Sequence, residues 1–190
     1  SGIHINRFLD FRWLAGKQLV QNSFTGVEQF ADFLFNIPGF PLFSSALRGA
    51  LEEMKIGYEI VEHEPVYTNP AMAEALNVSE SETVKSLVLK TKEGQLIVLV
   101  LPGDKKVDWK KAAAGAKTKK VSFAKPEEVS EAVGCEVGCV PPFGHLTSLP
   151  IYMDPDLIKK NFVYFNPGVH DKSFKIKAWD LKKLCNPSLI

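Results

Sequence analysis

The chain has 190 residues, 45% apolar and 24% charged, which suits one well-buried core with an appendage and is ordinary for a soluble globular protein. Its net charge of +1 hides an asymmetry: residues 1–100 carry 8 Lys/Arg against 12 Asp/Glu, whereas residues 101–190 carry 15 against 10, so a local anionic partner is expected rather than general stickiness. Three cysteines (Cys135, Cys139, Cys185) exclude a disulfide framework, and Cys135-x3-Cys139 lacks the second ligand pair of a zinc site, so reduced thiols, a cytoplasmic setting and no metal or cofactor are expected.

Residues 1–43 read as an aromatic-rich extension. Thr25 and Glu28 form a capping-box pattern ahead of Val27, Phe30, Ala31, Leu34 and Phe35 on one helical face. Ile37-Pro38-Gly39-Phe40-Pro41 ends it, and the main domain spans 44–190. There, Leu47, Ala50, Leu51 and Met54 give helical spacing stopped at Gly57, and Tyr58–His63 alternates like a strand. Asn69-Pro70 opens a helix towards Leu76. Thr83–Lys90 and Gln95–Leu101 read as strands about a Glu93-Gly94 turn, the second apolar enough to be buried on both faces. Asp108 caps a helix through Ala114, Val121–Phe123 is a short strand, and Pro126 opens a helix closing at Gly134. Strands near Ile151–Met153, Phe162–Phe165 and Phe174–Ala178 follow, and Asp180 caps a last helix. The order mixes hairpins and crossovers and predicts a mixed-sheet α/β (α+β) domain. No apolar run reaches the roughly 18 residues that span a bilayer, and no signal peptide is read.

Three features carry chemistry. Gly134 to His145, GCEVGCVPPFGH, combines permissive glycines with two prolines that lock the backbone, a fixed loop that a ligand can approach closely or a rigid turn packed on a core. Lys85 shares a strand face with Leu87 and Leu89, so it faces an anion or cavity, or it snorkels to solvent. Seven lysines (Lys105, Lys106, Lys110, Lys111, Lys117, Lys119, Lys120) stand against one acid, Asp108, a pattern that suits phosphates or a solvated face. Of the histidines, His63 is core or cleft edge, His145 follows the loop closely enough to orient a substrate, and His170 in the turn Pro167–Asp171 is expected to be exposed. No base accompanies Cys139, which reads as a packing residue.

Val84-Lys85-Ser86-Leu87-Val88, Leu101-Pro102-Gly103-Asp104-Lys105-Lys106-Val107-Asp108 and Gly138-Cys139-Val140-Pro141-Pro142-Phe143-Gly144, preceded by His63-Glu64-Pro65-Val66-Tyr67-Thr68, resemble the YbaK/prolyl-tRNA synthetase-associated editing domain family over roughly residues 44–185. The resemblance implies a mixed, curved β-sheet with flanking helices, and a deacylase that hydrolyses the ester of a mischarged small amino acid on tRNA. Lys85 would be its key lysine and Gly138 to Pro142 its G-x-x-x-P loop, with the loop through Gly144 offering N–H groups to an oxyanion. The substrate pocket is then assigned to His63, Thr68, Gly103, Asp104, Val140, Phe143 and His145, with Lys105, Lys106, Lys110 and Lys111 on tRNA. Water is the nucleophile such a hydrolysis implies, and a lysine ammonium, protonated at neutral pH, would position the substrate rather than act as base. An aminoacyl-tRNA synthetase is a further implied partner. Lys175 and Lys177 stand where relatives often carry an acid, and Pro141 where many carry Ser, which leaves the amino acid open. The alternative is a non-catalytic tRNA- or synthetase-binding module of the same fold.

Overall fold

A computed structural model of the protein describes residues 49–190, apart from 135, 136, 139 and 144–147. The extension 1–43, its boundary with the main domain, Cys139, Gly144 and His145 lie outside the described residues. Residues 49–53 are helical, and Leu51 is buried. The helix stops earlier than its glycine suggests: Lys55 takes the left-handed conformation (φ 55°) and Ile56 N–H donates back to the Leu51 carbonyl at 2.8 Å.

The elements that follow are β1 (Tyr58–Glu62), α1 (Asn69–Leu76), β2 (Val84–Thr91), β3 (Leu96–Pro102), α2 (Trp109–Gly115), β4 (Val121–Phe123), α3 (Pro126–Val133), β5 (Ile151–Met153), β6 (Phe162–Phe165), β7 (Lys172–Lys177), α4 (Ala178–Cys185) and β8 (Ser188–Leu189). Short 3-10 turns cover Glu80–Glu82 and Leu157–Lys159. The start signals lie in the sequence. Thr68 and Asp108 accept from Ala71 N–H and Lys111 N–H at the starts of α1 and α2, and Pro70 and Pro126 occupy first turns where no N–H is needed. Asp180 does not cap α4, which begins two residues earlier at Ala178. It sits in the first turn, where a carboxylate suits the helix dipole.

The strands form two sheets. One is antiparallel, in the order β1-β7-β6, and the other is β4-β2-β3-β5-β8, antiparallel through β3 and parallel from β3 to β8. A bridge from Thr83 to Tyr164 ties the two sheets at the start of β2. β3 is buried on both faces. Val98 and Val100 enter a core shared with Phe143, Phe165 and Phe174, while Ile97, Leu99 and Leu101 join Leu89, Ala112 and Ala113 beneath α2. At about 1.5–3 kcal/mol per fully buried large aliphatic side chain, this strand anchors the fold.

Candidate active site

β2 is not paired evenly along its length. β3 runs beside it from Val84 to Lys90, but β4 covers its other edge only at Leu89–Thr91. The Ala124 N–H, donating to the Val88 carbonyl at 3.1 Å, is the next contact on that edge. Alternation then turns the backbone of Ser86 to the same open edge as that of Val88, while Lys85 and Leu87 bond towards β3. A cleft of about 280 Å³ occupies the gap. It is bordered by β2 residues 84–88, the start of α1, Pro126 and Val129 of α3, and Gly138 and Val140. Ligand pockets commonly run from about 300 Å³ upward, so this one suits a small group.

Lys85 lines the cleft, half-buried, and its ammonium donates to the Lys105 carbonyl at 2.8 Å. That leaves two of its three N–H donors for a ligand. The Lys105 side chain is itself committed: its Nζ lies 2.9 and 2.8 Å from the Asp154 oxygens and 2.5 Å from Asp156 Oδ2. Burial works against the charged Lys105, but the hydrogen bonds it donates to Asp154 and Asp156 outweigh that and raise its pKa. The hydrogen bonds from Lys105 and then Lys159 hold the Asp156 carboxyl down at about 2. The carbonyl that receives Lys85 is therefore fixed by an ion-pair cluster on its own residue.

The opposite bank is a loop. Gly138 has φ +102°, and a Cβ there would meet nothing nearer than the Tyr67 carbonyl at 3.7 Å, so backbone angle rather than space requires glycine. Past Val140, the chain turns into the core. Pro141 and Pro142 are buried, and Phe143 (1% exposed) meets the Phe165 ring edge-on at 5.1 Å. Cys185 Sγ donates to the Pro142 carbonyl at 2.7 Å, and burial pushes its thiol well above the ordinary range, so it stays a protonated donor. The loop is thus pinned to α4 behind the cleft.

The family of aminoacyl-tRNA editing domains matches residues 63–184, the stretch from the end of β1 to α4 that builds both banks. The chain belongs to this family. It is 31% identical over 137 residues to the multifunctional Ser/Thr-tRNA deacylase ProXp-y of Escherichia coli K12, covering 70% of this chain and 82% of that one. It is 28% identical over 144 residues to the prolyl-tRNA editing protein ProX of Acetoanaerobium sticklandii, covering 73% and 88%. A solved structure described as a candidate trans-editing enzyme for prolyl tRNA synthetase superposes with a TM-score of 0.69 at 30% identity, covering 78% of this chain and 94% of that one.

In this editing domain the sequence-assigned residues fall into three groups. Lys85, Thr68, Gly138 and Val140 line the cleft together. Phe143 and Pro142 brace it from behind. Gly103, Asp104 and His63 are not part of its lining. Gly103 is a packing position, where a Cβ would fall 2.1 Å from Thr83 Oγ1 and 2.7 Å from the Glu80 carbonyl, and Asp104 is exposed. His63 acts at one remove. Its Nε2 lies 2.9 Å from Ser173 Oγ, which donates to Asn166 Oδ1 at 3.3 Å, and Asn166 lines the cleft. With Oδ1 so engaged, Asn166 has its amide N–H groups to offer a ligand. Lys106, Lys110 and Lys111 are exposed, whereas Lys105 is tied up by Asp154 and Asp156. His170 is half-buried rather than exposed, with Nδ1 3.0 Å from the Val66 carbonyl and its ring 4.3 Å from that of Tyr67.

Two residues escaped the sequence reading. Asn69 donates from Nδ2 to Thr83 Oγ1 at 2.8 Å and to the Val84 carbonyl at 3.2 Å, closing the open edge of β2 at one end. Asn166 lines the same cleft and accepts from Ser173 Oγ at 3.3 Å. Asn69 was legible only as the residue before a helix-opening proline, and Asn166 only as the residue before the Pro167–Asp171 turn. Among the described residues, no group of three His, Cys, Asp or Glu is placed to hold a metal, and no helix is long and apolar enough to cross a membrane.

Proposed function

We propose that the cleft at the open edge of β2 holds the aminoacyl ester at the 3′ end of a mischarged tRNA, with water as nucleophile. Hydrolysis of an aminoacyl-tRNA ester in editing is the activity of the family to which the chain belongs. In the proposed division of labour, the two unused donors of Lys85 hold the terminal phosphate or the ester carbonyl. Water adds to that carbonyl carbon, and N–H groups of the Gly138 loop receive the oxyanion. Collapse breaks the bond between the acyl carbon and the ribose oxygen, which leaves with a proton. The amino acid and intact tRNA are released. A neighbouring ribose hydroxyl can orient the water, so no catalytic triad is required. One well-placed oxyanion donor contributes on the order of 10²–10³ in rate.

One observation carries this reading: Lys85 and Gly138, drawn from distant parts of the chain, line a single cleft. Its small volume and the side chains of Met72, Val84, Val129 and Val140 favour a small amino acid and reject bulky ones sterically, the logic of an editing sieve. Relatives named for seryl-, threonyl- and prolyl-tRNA support the same size class. The partner is mischarged tRNA in the cytoplasm, and prolyl-tRNA synthetase is the synthetase to test first, since a proline–tRNA ligase of Thermosipho melanesiensis matches this chain over 24% of its own length. Incubation with a panel of mischarged tRNAs tests the proposal. Small amino acids should be released and aromatic ones retained; release of none would overturn it.

A further inference from the structure

A second concavity lies beside the first. Between α2 and β4 runs a groove of about 680 Å³, floored by Ala113, Ala114 and Val121. Trp109 and Phe123 line it although they are 42% and 58% exposed, and their rings meet edge to face at 5.0 Å. Apolar rings of this size are ordinarily buried. Lys110, Lys119 and Lys120 also line it, all exposed and none in an ion pair among the described residues. The acid that touches the lining is Glu93, which accepts from Thr118 Oγ1 at 2.5 Å. Phe123 lines both concavities, so the groove adjoins the candidate active site.

Exposed aromatic faces interleaved with lysines are what an unpaired nucleic-acid strand recognises: bases stack on the rings and phosphates meet the ammonium groups. A duplex offers no free base faces to such rings. We infer that this groove binds the unpaired nucleotides preceding the terminal adenosine of tRNA, stacked on Trp109 and Phe123 with their phosphates on Lys110, Lys119 and Lys120. The inference rests on the deacylase reading for the identity of the strand, and it gives that reading a direction: the 3′ end runs along α2, past Phe123, and places its ester beside Lys85.

The test uses the full chain and an uncharged acceptor-stem RNA hairpin, with and without its four-nucleotide 3′ overhang. The parent should bind the overhang form at least about tenfold more tightly, Trp109→Ala should lose about tenfold, and Trp109→Phe should recover most of it. Replacing Lys119 and Lys120 with Gln should flatten the salt dependence by about 0.7 for each phosphate no longer neutralised. On mischarged tRNA, Trp109→Ala should raise KM with little change in kcat, and it should leave hydrolysis of a free aminoacyl-adenosine ester unchanged. Equal affinity of the parent for overhang and blunt forms overturns the inference. So does a lysine effect without a Trp109 effect, which would mark a general anionic surface such as one for an acidic protein. Overhang-specific binding by a parent that releases no amino acid would uphold the groove while sinking the deacylase reading.

Discussion

Behind the β2 bank of the cleft, Gly103 lies outside the left-handed region and has no room for a Cβ, which would strike Thr83 Oγ1 and the Glu80 carbonyl. On the loop bank, Gly138 has room for a Cβ but a φ of +102°. Both glycines belong to stretches that resemble family motifs, yet they answer to different physics. The β2 bank is held by packing and a polar network, with Gly103 N–H donating to the Thr83 carbonyl at 2.8 Å and Asn69 tying Thr83 to Val84. The loop bank is held by a backbone angle and by the anchoring of Pro142 and Phe143. A rigid wall thus faces one whose shape depends on a single residue's conformation, and only the second should be sensitive in activity before stability.

Substituting the two glycines separates these walls. Gly103→Ala forces a methyl against a backbone carbonyl and a hydroxyl that already holds Asn69, so it should lose about 2–3 kcal/mol, read as a lower urea midpoint. Gly138→Ala meets no atom but must adopt or abandon the left-handed region, at about 1–2 kcal/mol. Its activity should fall by about tenfold or more in protein that is still folded at the assay temperature. The comparison breaks if Gly138→Ala is the more destabilising, or if it retains parental kcat/KM.

A smaller effect probes the link between Lys85 and the acids beneath it. The folded-state pKa of Asp156, about 2, lies below its ordinary value of 3.8. Its contribution is therefore fully present above that ordinary value and is lost as pH falls through about 2. Melting temperature followed across this acid window should decline less steeply in Asp156→Asn than in the parent. Because the Asp156 side chain is 41% exposed, solvent screens its ion pairs and the difference should be slight.

Much of the architecture was legible because Gly and Pro punctuate this chain so regularly. Pro70, Gly94, Pro126 and Gly134 mark real boundaries, and the run from Leu96 to Leu101 could bury both faces only as a central strand. What escaped depends on pairings distant in sequence. β8 has two residues, Ser188 and Leu189, both exposed, and exists only because it pairs with Tyr152 and Met153 of β5. The division into two sheets is a matter of pairing, which periodicity does not encode. His170 reads as an exposed residue of its turn, but Val66 and Tyr67, more than a hundred positions away, half-bury it. At the site, Lys85 was visible as a charge on an apolar strand. The open edge it lies along was not, because that edge follows from how short β4 is. Asn69 and Asn166 carried no pattern of their own.

The central claim is that Lys85 serves the substrate rather than the fold, since among the described residues its ammonium bonds to the Lys105 carbonyl alone, at 2.8 Å. Lys85→Ala, assayed under single turnover on a tRNA carrying a small amino acid it does not cognately bear, measures this most directly. The account predicts a fall in kcat/KM of at least about a hundredfold, with a melting temperature close to that of the parent. Hydrolysis at the parental rate by a folded Lys85→Ala protein would contradict it.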